Sequence, residues 1–378
     1  MTQYSENSMI AQVQSLPELI RSEFDALDRR VRLMMNHDEW LSVKRVVITG
    51  CGDSHMAGVA AELAFEQIAC MPTEPMRAMK ARYAAPYKLS HFPRNPLVFG
   101  ISVSGTVSRT REAIGLFRRQ GLPTVAITGN PQSPLAQAAE KVLDCSVPDF
   151  PFAPGVRSYR MSLLALYLLA IRLGEVQERY SQQEANGLRH ELRQTADAIE
   201  ATTEAVNERV RELAQAVAEE KSFVFVGDGP NFGTALFGAA KVIEATGRHA
   251  MGQETEEWAH LQYFTDVENA TPSFLISPGY RGHHRVGELM EPLRRIGRTI
   301  VAITPQDDNV VAPDADWHLP VCGPVREAFS PMVYAVATEL FAAHLSDAAG
   351  KLYFRQDNAA YNLGNDIRDT KIVESIEA

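Results

Sequence analysis

Lys241 and Glu244 stand three residues apart in the run GAAKVIEAT, and Glu257 and His260 repeat that spacing beyond a glycine-rich break at Gly247–Gly252. On a helix, residues three apart share one face. A carboxylate can carry a proton between adjacent carbons, and a histidine can act as acid and base on an oxygen; sugar isomerisation needs both. The same spacings also suit a surface ion pair and a packed histidine, and the residues alone leave both readings open.

A second set of candidates lies in SVSGTVS at 102–108. It follows the β-branched run Leu97–Ser102 and precedes a helix expected from about Arg109. Ser102, Ser104, Ser108 and the backbone around Gly105, at the positive end of a helix dipole, suit a tetrahedral anion without any lysine. The loop Gly50-Cys51-Gly52-Asp53-Ser54 ends the preceding strand and adds the Gly52 turn and the Ser54 hydroxyl. Serine and glycine also cap helices and turn chains in most α/β proteins, so a purely structural role stays open.

The elements that must carry these groups occur twice. Val46–Gly58 and Phe223–Gly233 each read as a β-branched run, a glycine turn and a helix start. Leu97–Ser104 pairs with Ser273–Gly279, Thr124–Thr128 pairs with Ile300–Thr304, and the apolar helices Tyr159–Ile171 and Phe329–His344 follow. A nearly constant offset of about 176 residues marks a duplicated α/β unit. Such a repeat puts two sets of strand-end loops at the disposal of one active site.

Composition narrows the partners. The 378 residues are 45% apolar and 22% charged, with a net charge of −10, which argues against nucleic acid or an anionic membrane surface. The apolar stretch Ser162–Ile171 is about half the roughly 20 residues that span a bilayer, so a buried helix is expected. The polar N-terminus lacks a secretory apolar region, and a cytoplasmic protein is expected. Cys51, Cys70, Cys145 and Cys322 form no CxxC pair and are expected as buried thiols. The adjacent His283 and His284 do not suit one metal ion. Gly50–Gly52 and Gly227–Gly229–Gly233 fall short of GxGxxG, and CMPTEPM offers no terminal acid for a ribose, against a nicotinamide cofactor.

Before the first repeat, Ile20, Phe24, Leu27, Val31 and Met34 make one apolar stripe, read as a single helix packed on a domain or on a partner subunit. Val206, Val210, Leu213 and Val217 form another stripe in a charged, proline-free segment. The C-terminal segment, with Tyr353, Phe354, Arg355 and Tyr361, has no periodic apolar face and is expected either to cover a surface or to fray.

From about residue 10 onward the chain resembles the double SIS (sugar isomerase) architecture of the isomerase half of glucosamine-6-phosphate synthase and its deaminase and deglycase relatives. The motifs are CGDS at 51–54, SVSG at 102–105, VRS at 156–158, GAAKVIE at 238–244 and EWAH at 257–260. The resemblance implies an α/β fold of two tandem SIS domains, each a mainly parallel sheet flanked by helices in a flavodoxin-like three-layer sandwich. The expected divisions are a helical arm at 1–40, SIS domains at 41–174 and 222–345, a helical connector at 175–221, and a tail over the active site at 346–378. It further implies that Ser54, Ser102, Ser104 and Ser158 contact the sugar and its 6-phosphate. Glu244 would move the proton between C1 and C2 with Lys241 beside it. His260 would open the ring from the neighbouring subunit, hence a homodimer with shared sites and neither metal nor organic cofactor.

Three departures from the family pattern stand out. Val107 replaces the threonine of SxSGxT, with Ser108 one place later; Arg157 and Arg160 stand where small residues and a lysine are usual; and Asn365 replaces a C-terminal lysine, with Lys371 further on. The added arginines suit a sulfonate or carboxylate as well as a phosphate. No amidohydrolase segment with an N-terminal cysteine precedes the first repeat, so uptake of ammonia from glutamine is not expected. The expectation is an aldose–ketose isomerase or isomerising deaminase acting on a C6-anionic sugar, most simply an (amino-)hexose 6-phosphate. The alternatives are a 6-sulfo-sugar isomerase, a fructosamine-6-phosphate deglycase, and a sugar-phosphate-binding regulatory module, which needs the serine loops but not the Glu/His pair.

Overall fold

Strands apolar at every position cannot turn one face to water, so they form parallel sheets covered on both sides. The computed structural model, which describes residues 5–84, 96–265, 270–361 and 367, contains two such sheets. The first is built from β1 (Arg45–Gly50), β2 (Thr73–Arg77), β3 (Pro96–Ile101), β4 (Thr124–Thr128) and β5 (Lys141–Asp144), and the second from β6 (Ser222–Gly227), β7 (His249–Gln253), β8 (Ser273–Ile276), β9 (Ile300–Pro305) and β10 (Trp317–Val321). Their orders are β2-β1-β3-β4-β5 and β10-β9-β8-β6-β7, the same doubly wound order read from opposite edges. Ile48 lies opposite Phe99 in one sheet and Phe225 opposite Phe274 in the other. Pro75 and Pro320 fall in β2 and β10, edge strands where a missing N–H costs no ladder bond.

Three helices precede β1: α1 (Ser8–Gln14), α2 (Leu16–Met34) and α3 (His37–Ser42). Around the first sheet run α4 (Asp53–Ile68), α5 (Ala78–Ala84), α6 (Ser108–Arg119), α7 (Pro134–Ala138) and α8 (Arg157–Val176). The residues of α5, α6 and α7 pack with Val47, Val98 and Ala126 on one face, while α4 meets the other through Phe65 against Phe99, with α8 beside it. After α9 (Gln182–Ala216) the second sheet receives α10 (Pro230–Thr246), α11 (Thr255–His260), α12 (His283–Glu288), α13 (Met290–Arg295) and α14 (Pro331–Ala348). Trp258, Val286 and Leu293 of α11 to α13 pack with Val224, Val226 and Leu275, and Phe341 of α14 closes an aromatic cluster with Phe223 and Phe274. Each sheet is therefore the middle layer of a helix–sheet–helix sandwich.

By its contacts the chain divides into two compact units. The unit of the first sheet takes Leu19–Asp149, Arg157–Arg193 and the described residues from Ala360; that of the second takes the described residues to Glu18, Phe150–Val156 and Gln194–Ala359. The stripe from Ile20 to Met34 lies within the single helix α2, as expected, and the shorter α1 precedes it. Pro17 has no N–H to give the Val13 carbonyl, so α1 ends and proline sits in the first turn of α2. Along α2, Ile20, Phe24, Leu27 and Val31 are buried, but at its end Met35 replaces Met34 in the core. The Arg193 guanidinium lies over the Phe24 ring, and Arg189 donates to Asp28 and Glu175, so this stripe packs on its own chain.

Other expectations need correction. Cys145 is buried, and burial pushes its thiol up to about 12, but Cys51 and Cys70 are exposed and Cys322 is half-buried; all four are free. Cys51 lies in the turn after β1 and Cys70 follows α4 with φ of 50°, so neither belongs to a strand or helix interior. The described tail to Ala359 belongs to the second sheet's unit, where the Tyr353 hydroxyl donates to Asn7 Oδ1 at 2.6 Å and Phe354 faces Phe152. Asn365 and Lys371 lie outside the described residues. Among the described residues no helix is long and apolar enough to cross a membrane; Ser162–Ile171 is buried inside α8.

Two glycines report how closely the helices pack. A Cβ on Gly238 of α10 would lie 2.9 Å from Thr338 Cβ and 3.1 Å from Phe225, whereas one on Gly187 of α9 would meet nothing within 4 Å. Gly238→Ala is expected to cost about 1–3 kcal/mol, and Gly187→Ala to add about 0.5–1 kcal/mol. Urea unfolding of the two variants checks both signs.

Candidate active site

Both repeats start their first helix in the same way. Gly52 has φ 54° and ψ −131°, and Gly229 has φ 53° and ψ −127°, and neither N-terminus carries a side-chain cap. A Cβ at either glycine would touch nothing within 4 Å, so backbone conformation alone selects glycine there. Two residues on, the copies diverge. Ser54 is half-buried in the first turn of α4, whereas Asn231 is wholly buried and locked, donating to Ser330 Oγ at 2.8 Å and accepting from Thr234. Beside Ser54, burial with Arg77 and Lys80 nearby pulls the His55 imidazole down to about 4, so His55 adds no positive charge at neutral pH.

The hydroxyl loop after β3 is pinned from within. Gly105 has φ 68°, and a Cβ there would lie 2.0 Å from Ser133 Oγ, so both conformation and space require glycine. Its N–H donates to the Ser102 hydroxyl at 3.1 Å, and Ser102 is buried. Ser104 is exposed, with its hydroxyl 3.0 Å from that of Thr106. Ser108 is buried as the first residue of α6, whose N-cap, Val107, has no capping side chain. The hydroxyl absent at position 107 is supplied at 106, which the pattern SxSGxT did not flag although Thr106 lies inside the motif. The loop therefore presents two adjacent hydroxyls at an uncapped helix start, the environment that favours an anion.

Ser158 and Arg160 fall in the first turn of α8 and not in a loop, because the helix already begins at Arg157. Ser158 is half-buried. Arg160 is wholly buried with its guanidinium 5.8 Å from the Tyr159 ring centre, and Arg157 is also buried. These arginines are part of the packed helix start.

On α10, Lys241 is wholly buried, so the surface-pair alternative does not hold. Its ammonium lies 4.8 Å from the Phe237 ring centre and is ion-paired with Glu244, whose side chain keeps 30% exposure. A buried cation needs such a partner. The result is a carboxylate held next to a fixed positive charge and still open to solvent. His260 ends α11 with its side chain 72% exposed, and its Nδ1 lies 2.8 Å from the Glu256 carbonyl oxygen. Its carboxylate neighbour is Glu256, one helical turn back, and not Glu257. No hydrogen bond or ion pair joins His260 to Lys241 or Glu244. The residue that seats α11 is Asp228, in the glycine turn before α10: it accepts from the Thr255 N–H at 3.0 Å and from the Thr255 hydroxyl. Its place between Gly227 and Gly229 was the available signal. Among the described residues, no cluster of three or more His, Cys, Asp or Glu side chains could hold a metal ion.

Duplicated doubly wound sheets, each with a glycine turn and an open strand-end loop at its order reversal, are the fold of two tandem SIS domains. The family model of the SIS domain matches residues 41–172. The chain is 27% identical over 352 residues to glutamine–fructose-6-phosphate aminotransferase (isomerizing) of Gloeobacter violaceus, covering 90% of this chain and 56% of that protein. The C-terminal domain of glucosamine-fructose-6-phosphate aminotransferase from Francisella tularensis superposes with a TM-score of 0.80 and 16% identity, over 92% of this chain and 98% of that one. Tagatose-6-phosphate ketose/aldose isomerase from Escherichia coli superposes with a TM-score of 0.73 and 17% identity, over 99% of this chain and 98% of that one. The chain spans about half the length of the curated relatives it matches.

His55 gives a test of charge near Ser54. Its folded value of about 4 lies below the ordinary ~6.5 of the unfolded chain, which binds the proton first on acidification. The stabilisation is full above about pH 6.5 and fades as pH falls toward about 4. His55→Gln is expected to shrink the loss of melting temperature between neutral and mildly acidic solution; an equal loss in both proteins counts against this account.

Proposed function

We propose that the chain is an aldose–ketose isomerase or isomerising deaminase for a C6-anionic sugar, most simply an (amino-)hexose 6-phosphate. The observation that carries this reading is the Lys241–Glu244 pair: a wholly buried ammonium holds a carboxylate that solvent still reaches. A base that cycles between C1 and C2 must be ionised, fixed in place and accessible, and this pair meets all three needs. Glu244 takes the proton from one carbon and returns it to the next; Lys241 stabilises the charge that develops between the two steps.

In the first sheet's unit, the Ser104 and Thr106 hydroxyls and the start of α6 hold the anion, with Ser54, Gly52, Ser102, Gly105 and Ser108 shaping the two loops and Ser158 nearby in sequence to the helix start of α8. His260 acts at the ring oxygen from a second copy of the chain, a role that its exposed side chain allows. The relatives named above, an isomerizing aminotransferase and a ketose/aldose isomerase, support the class of chemistry.

The test is incubation with glucosamine 6-phosphate and with fructose 6-phosphate in D₂O, followed by NMR of the C2 proton. The wild-type chain is expected to exchange that proton, and Glu244→Gln to slow exchange about 10²–10⁴-fold while ligand affinity stays within a few-fold. Ammonia release then separates deaminase from isomerase. Binding without exchange in the wild type would leave only the regulatory-module reading.

A further inference from the structure

The loops after β8, β9 and β10 line an open cavity of about 720 Å³ within the second sheet's unit, large enough for a sugar-sized ligand. It stands where the hydroxyl loop stands in the first repeat. Ser277 follows β8 as Ser102 follows β3, and each donates its N–H across to the neighbouring strand, to Ile303 and Ile127 respectively, at 3.1 Å.

The chemistry of the two places differs. In the second repeat, the Ser277 hydroxyl and the His283 Nδ1 are 2.8 Å apart, and His283 Nε2 lies 2.9 Å from Asp308 Oδ1. Asp308 also accepts from the N–H groups of Val310 and Ala312, each at 2.9 Å. Burial works to raise its carboxyl, but those N–H groups, Thr304 and His283 hold it down to about 2. The three side chains are thus committed to fixing an ionised wall. No lysine or arginine lines the cavity among the described residues; Arg281, in the same loop, points its charge to Glu327 at 2.8 Å. Asp307 is exposed at the lining and makes no ion pair with a described residue. This place repels an anion.

One lining group lacks a partner. Tyr334 of α14 is only 3% exposed, yet its phenol makes no hydrogen bond with any described residue. Burial, with Tyr280, Asp308 and Asp307 facing it, pushes that phenol well above the usual range, so it remains a donor. The phenol oxygen itself is open to the cavity, so its partner is water or a bound ligand. Tyr280, held by the Val325 carbonyl at 3.2 Å, adds an aromatic wall.

We propose that this cavity binds an amino sugar without a phosphate: a ring hydroxyl pairs with Tyr334 and the ammonium faces Asp307. No residue of the cavity is among those assigned to proton transfer or anion binding above. The full chain is titrated with glucosamine, glucose and glucosamine 6-phosphate by calorimetry and saturation-transfer NMR. Glucosamine is expected to bind more tightly than glucose. Tyr334→Phe and Asp307→Asn should each weaken it at least about three-fold, with melting temperatures showing that both variants fold, while Ser104→Ala leaves it unchanged. Absence of glucosamine binding at millimolar concentrations, an affinity unmoved by both cavity variants, or loss of binding in Ser104→Ala overturns the assignment. Glucose binding as tight as glucosamine binding overturns the role given to Asp307.

Discussion

A parallel sheet covered on both faces has only its strand ends left for chemistry, and this constraint organises both units. The interior of β3 is buried along its whole length, and β1 and β6 are buried beyond their first residue. Every polar backbone group there is committed to the ladder. Functional side chains therefore collect in the turns that leave the strands, or on the helices that those turns launch. The glycine turns at Gly52 and Gly229 do the launching: a left-handed φ lets the chain reverse into α4 and α10 within two residues.

Duplication then allowed the two copies to part ways at matched positions. Ser54 keeps a half-exposed hydroxyl; its counterpart Asn231 is absorbed into a buried network with Ser330 and Thr234. After the next strand, one copy presents hydroxyls at an uncapped helix start. The other ties serine, histidine and aspartate into one chain of hydrogen bonds. Meanwhile the proton-transfer candidates sit on α10, and α10 packs tightly on α14 because Gly238 admits Thr338. The scaffold is shared, while charge at the strand ends is opposite: open to anions in one copy, lined by carboxylates in the other.

Much of this could be read before any coordinates. Runs such as VVITG and FVFVG have no polar alternation, which announces strands buried on both faces, and the repeat located six of the ten strands, β1, β3 and β4 with β6, β8 and β9. The Lys241–Glu244 spacing likewise announced a shared helix face. What escaped depended on where a helix begins or on contacts far apart in sequence. The short helix α1, which ends before Pro17, lies outside the stripe that begins at Ile20. Arg157 and Ser158 fell outside the apolar run Tyr159–Ile171 because α8 starts two residues before it. Burial of Lys241, and the meeting of Ser277 with His283 and Asp308, arise from packing between separate segments, which no local pattern records.

The seating of α1 has a consequence for how the chain is made. Asn7 caps that helix through the N–H groups of Met9 and Ile10, and its side chain also reaches Asp347 and Tyr353, some 340 residues later. Helix α1 thus belongs to a unit that is completed only by the far later α14. At about 5–20 residues per second its apolar face, with Met9 and Val13, waits roughly twenty seconds to a minute for α14. Until then that face has nowhere to bury, so this unit closes through a contact between distant parts of the sequence, the kind of contact that forms slowly.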